Sequence, residues 1–111
     1  MDKLNILWTT DNKDTVFNML LMYALNSKIN GWWKEVNIII WGASANLVGS
    51  DSQVQTEVME VISQGVKVEA CKACCDIYGV SDKLSKLGIE VRYMGEPFTG
   101  YLKSGEKILT I

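Results

Sequence analysis

Histidine is absent from this 111-residue chain, proline occurs once, and cysteine is found only between positions 71 and 75. Each scarcity removes a class of chemistry. Without histidine there is no Ser-His-Asp or Cys-His pair, no histidine-bearing zinc site and no imidazole base, so chemistry must come from cysteine, carboxylates, lysine, tyrosine or the backbone. No apolar run approaches the roughly 18 residues that cross a bilayer. The opening MDKLNILWTT, with an acid at position 2, reads as a first strand and not as a secretory signal. Eleven basic residues stand against 13 acidic ones, and the net charge of -2 gives no electrostatic footprint for nucleic acid or an anionic membrane. Neither is expected as a partner, and a cytoplasmic location is. The length suits one hydrophobic core, so residues 1–111 are taken as a single domain.

What is present is an alternation of apolar runs and helical patterns. LNILWTT is a strand candidate, and DTVFNMLLMYALNSK follows with Val16, Phe17, Leu20, Leu21 and Ala24 at helical spacing. VNIIIW is nearly all apolar and β-branched, as in a strand buried on both faces. The small residues of WGASANLVGS fit a loop or surface turn. SDSQVQTEVMEVISQG then places Ser50 and Gln53 in capping-box spacing, sets Val54, Val58, Val61 and Ile62 on one face, and stops at Gly65. Three further segments, GVKVEA, GIEVRYM and GEKILTI, each lead from a glycine into a strand. Between them lie short helical stretches at 73–78 and 82–87, and PFTGYLKS with Pro97 at a helix start. Five strands alternating with helices imply right-handed crossovers and a parallel sheet covered on both sides, a three-layer α/β/α fold of flavodoxin-like layering. Met19, Met22, Tyr23 and Leu25 widen the apolar surface of the first helix beyond its core-facing stripe, which points to a homo-oligomer.

The segment EACKACCDIYG carries Cys71, Cys74 and Cys75. Ligands and reactive groups of open parallel sheets gather beyond the carboxyl ends of the strands, where VKVEA runs out and Cys71 stands. Helical spacing sets the two later thiols on the same side. A thiol at a helix N-terminus meets unpaired N–H groups that favour the thiolate, with Lys72 adding to this and Glu69 and Asp76 opposing it. Three thiols fall short of the four ligands of a closed zinc site, and Cys75 reads most simply as a small buried hydrophobe. The C-x-x-C spacing of Cys71 and Cys74 also fits a thiol-disulfide pair, with Cys74 as the resolving thiol. TTDNKDT lacks the glycine of a flavin phosphate loop, and its Thr10, Asp11 and Asn12 serve equally well as a helix start. No cofactor and no metal is expected. Trp8, Trp32, Trp33 and Trp41, without a basic stripe beside them, read as core or interface aromatics.

Taken together, NILWTTDN, VNIIIWGASANLV, VKVEACKACC and the closing GIEVRYMGEPFTGYLKSGEKILTI resemble the DsrE-like sulfur-relay proteins of the DsrE, DsrF and TusD type. The resemblance covers essentially the whole chain. It implies a five-stranded parallel sheet, assembly as a trimer, a hexamer or a mixed complex, and a persulfide carried on the cysteine that ends the third strand, here Cys71. It also implies sulfur donor and acceptor proteins as partners. The alternatives are a thiol-disulfide protein using Cys71 and Cys74, and a non-catalytic oligomeric binding subunit.

Overall fold

Apolar β-branched runs and glycine-ended helices build the expected sheet. The computed structural model describes residues 2–111. Among these, five parallel strands, β1 (Lys3–Trp8), β2 (Glu35–Ile40), β3 (Lys67–Cys71), β4 (Glu90–Arg92) and β5 (Lys107–Thr110), lie in the order β4-β3-β2-β1-β5. The connecting helices are α1 (Lys13–Thr15), which continues through a π turn over Val16–Leu20 into α2 (Leu21–Ile29), then α3 (Ala43–Ser50), α4 (Ser52–Ser63), α5 (Lys72–Tyr78), α6 (Ser81–Lys86) and α7 (Gly95–Lys103). None of the helices among the described residues is long and apolar enough to cross a membrane.

The strand order decides where the helices go. From β1 to β4 the chain steps one strand at a time in one direction, so right-handed crossovers put α1 to α6 on a single face. From β4 it returns across the whole sheet to β5, so α7 must lie on the other face. The main core is the first of these interfaces: Leu4, Ile6, Trp8, Ile38, Ile40, Val68 and Ala70 of the sheet meet Val16, Leu20, Ala24, Val54, Val58 and Leu84. Each fully buried aliphatic there contributes about 1.5–3 kcal/mol. The second face has only the nine residues of α7 to cover it.

Several local expectations change. WGASANLVGS is not a surface turn but contains α3, whose Ser44, Ala45, Val48 and Gly49 are buried. Small residues are needed because α3 closely approaches the junction of α5 and α6: a Cβ on Gly49 would stand 2.4 Å from Val80 Cγ1. Ser50 therefore ends α3, and Asp51 caps α4, its Oδ1 accepting from Val54 N at 3.0 Å. Pro97 does not open α7. Gly95 does, and Phe98 N already donates to Met94 O, so proline sits in the first turn, where its missing N–H costs nothing. The first helix contains the π turn, with Leu21 N–H reaching back to Val16 O, while Asn12 caps its start by accepting from Thr15 N at 2.9 Å.

Candidate functional site

Alternation along β3 turns Val68 and Ala70 to the main core and Lys67, Glu69 and Cys71 to the α7 face. That face is divided along the strands. At its carboxyl end Ile39, Cys71 and Met94 are buried together, packed by Leu7, Trp41, Cys74, Phe98 and Tyr101. Trp41 meets Phe98 edge-on, with ring centroids 5.6 Å apart. Beside this cluster lies an open apolar cleft of about 340 Å³ lined by Leu7, Thr9, Trp41, Gly42 and Phe98.

Toward the amino end the same face is polar. Asn37 Nδ2 donates to Asn5 Oδ1 at 3.0 Å and to Glu69 Oε2 at 2.9 Å, and Asn5 Nδ2 donates to Glu106 Oε1 at 3.0 Å. The Glu69 carboxylate is fully buried and also receives Tyr101 OH at 2.7 Å and Arg92 Nη2, with Lys67 Nζ 3.5 Å away. Burial pushes the Glu69 carboxyl up, but the donors Tyr101, Asn37 and Arg92 and the Lys67 charge outweigh it and hold it below its usual range. Tyr101, buried and bound to that carboxylate, is pushed up to about 12. Glu69 is thus neutralised by its own partners and is not a free charge beside the thiols.

Cys71 ends β3 and is also the residue from which α5 starts. It is 4% exposed. The chain leaves β3 toward the face of α5 and α6, whereas it leaves the adjacent β4 toward α7 on the opposite face. Cys71 therefore stands in the crevice at the carboxyl ends of β3 and β4, between connections that leave on opposite faces. Its register partner across that crevice is Arg92.

Helical spacing set all three thiols on one side, but the structure divides them. Cys74 is half-buried and touches both clusters, whereas Cys75 is fully buried in the main core. Burial raises the Cys74 thiol and the neighbouring Cys71 adds to this, while an N–H from Gly42 opposes it. Gly42 adopts φ 73° and ψ -136°, a conformation open only to glycine. Cys75 is pushed up to about 11 by burial, with the other two thiols adding to it. Lys72, expected to support a thiolate, is committed elsewhere: its Nζ lies 2.8 Å from Asp76 Oδ2 and over the Tyr93 ring.

Arg92, Tyr101 and Phe98 were not singled out from sequence as companions of Cys71, and Glu69 was read only as a charge opposing its thiolate. A signal existed for Glu69: the alternation of VKVEAC puts this acid on the same face as Cys71, inside an otherwise buried strand. The others come from segments far along the chain and meet the site only because α7 folds back over the sheet.

A parallel five-stranded sheet in the order β4-β3-β2-β1-β5, with helices on both faces and a cysteine ending its third strand, defines an α/β protein of the DsrE-like fold. The chain belongs to the family of BT1422 from Bacteroides thetaiotaomicron, a conserved protein of unknown function. The two are 65% identical over 99% of this chain and 95% of that one, with a TM-score of 0.98. The fold is shared more distantly with the ychN protein from E. coli (21% identity, TM-score 0.72) and with MTH1491 from Methanobacterium thermoautotrophicum, a protein of unknown function (17% identity, TM-score 0.77), each over the full length of both chains. No family model and no curated protein matches the chain.

Proposed function

We propose that the protein is a sulfur-relay subunit that holds sulfane sulfur as a persulfide on Cys71. The observation that carries this reading is the position of Cys71 at the carboxyl end of β3, within an apolar shell of Ile39, Met94, Trp41 and Phe98. In the reaction a Cys71 thiolate attacks the terminal sulfur of a donor persulfide, R–S–SH. The donor's S–S bond breaks, a Cys71–S–SH bond forms, and the donor leaves as RSH, with no net oxidation. An acceptor thiol takes the sulfur away by the same exchange. Burial of Cys71 shields the persulfide from water and small reductants. Leu7, Trp41 and Phe98 border both the cysteine and the adjoining cleft, which leaves room for one more sulfur atom.

The contact between Cys71 and Cys74 favours a second reading, a thiol-disulfide protein in which the two thiols are oxidised together. Intact mass after incubation with glutathione persulfide separates the two. A gain of one sulfur mass, reversed by dithiothreitol and located after tryptic digestion on the peptide that carries Cys71, supports the carrier. A loss of two hydrogens supports the dithiol, and no change counts against both.

Assembly with further copies in the cytoplasm is part of the proposal. Met22 and Trp32, 52% and 58% exposed, form with Met19 an apolar patch of the kind that subunit contacts cover.

A further inference from the structure

Resting on the carrier reading, we propose that Cys74 is the port through which sulfur enters and leaves, and that Cys71 is the store. Cys71 lies beneath Met94, Phe98 and Tyr101 and is 4% exposed, so a protein-sized donor has almost no surface to attack. Cys74 is the more exposed of the two and lies against both Cys71 and Gly42. Gly42 in turn lines the apolar cleft with Trp41 and Phe98, which also belong to the shell of Cys71. Surface, port and store are contiguous.

The transfer has two balanced steps. Cys74 first takes the terminal sulfur of a donor persulfide, so that Cys74–S–SH forms and the donor departs as RSH. Cys71 then attacks that outer sulfur: the bond from Cys74 Sγ to it breaks, the bond from Cys71 Sγ to it forms, and the proton lost by Cys71 ends on Cys74. Neither step consumes an oxidant or a reductant. In the second step negative charge develops on Cys74 Sγ as it leaves, and the proton given up by Cys71 neutralises it. Release to an acceptor runs the same path in reverse.

The sequence supplies a convenient readout, since Lys72 lets trypsin separate Cys71, in the peptide Val68–Lys72, from Cys74 and Cys75, in Ala73–Lys83. The full chain is incubated with glutathione persulfide, quenched at intervals with iodoacetamide and digested without reductant. Sulfane sulfur is expected first on Ala73–Lys83 and later on Val68–Lys72. Both Cys74→Ser and Cys74→Ala should slow the loading of Cys71 by about tenfold or more, because they leave only the buried thiol. Cys71→Ser should still charge at Cys74 but lose its sulfur to dithiothreitol faster than the wild type. Loading of Cys71 at the wild-type rate in both Cys74 variants would overturn the port while sparing the carrier. Sulfur on neither wild-type peptide would overturn the carrier and the port together.

Discussion

At the scale of single residues, the three thiols differ by environment. Cys75 is raised to about 11 and fully buried, so iodoacetamide at neutral pH should label the native protein at Cys74 first and leave Cys75 unmodified until it unfolds. Early labelling of Cys75, read by peptide mass, would show that the main core opens at α5. Glu69 makes the sharpest case for stability. Glu69→Ala strands the donors of Asn37, Arg92 and Tyr101 and should cost about 2–4 kcal/mol in chemical denaturation. The folded carboxyl lies below its ordinary 4.5, so its stabilising contribution is in place above that pH and is lost as the pH falls through the folded value. Glu69→Gln should therefore flatten the acid limb of stability against pH. Tyr101 works in the opposite sense. Its folded value of about 12 exceeds the ordinary 10, so its contribution is complete below 10 and disappears as the pH rises toward 12, and Tyr101→Phe should remove that alkaline dependence.

At the scale of elements, the contact of α3 with Val80 is a tight packing requirement. Gly49→Ala should destabilise the protein by about 1–3 kcal/mol through overpacking, and Val80→Ala in the same chain should recover part of the loss. Additive losses in thermal melts would mean that the two residues do not press on each other. Helix α3 is also where sequence reading stopped. Its alanines, serines and glycine have no strong period, and small residues suit a turn as well as a close helix contact. Where periodicity was strong, in VNIIIW and in the Val54, Val58, Val61 face of α4, the elements and their buried sides were legible. Caps were less so: Ser50 and Asp51 are both good caps by residue type, and only the end of α3 decides between them. The site was half legible. VKVEACK marks Cys71 as the end of a strand, but it says nothing of the neighbouring strand, and Phe98 and Tyr101 reach Cys71 only through a crossover that spans the whole sheet.

At the scale of the whole molecule, strand order leaves the sheet unevenly covered. One face is packed by six helices and the other by α7 alone, leaving Cys71 between a polar network and an apolar cleft. Self-association through the Met19, Met22 and Trp32 patch should give a light-scattering mass that is a multiple of 12.4 kDa, and Met22→Glu should reduce it; a wild-type monomer would refute this assembly. The central claim, that Cys71 carries sulfur, is tested most directly by quantifying sulfane sulfur on the peptide Val68–Lys72 after glutathione persulfide treatment of the intact protein. Near-stoichiometric labelling of that peptide, with none on its serine counterpart in Cys71→Ser, is the predicted result. Sulfur confined to Ala73–Lys83, or absent altogether, would contradict it.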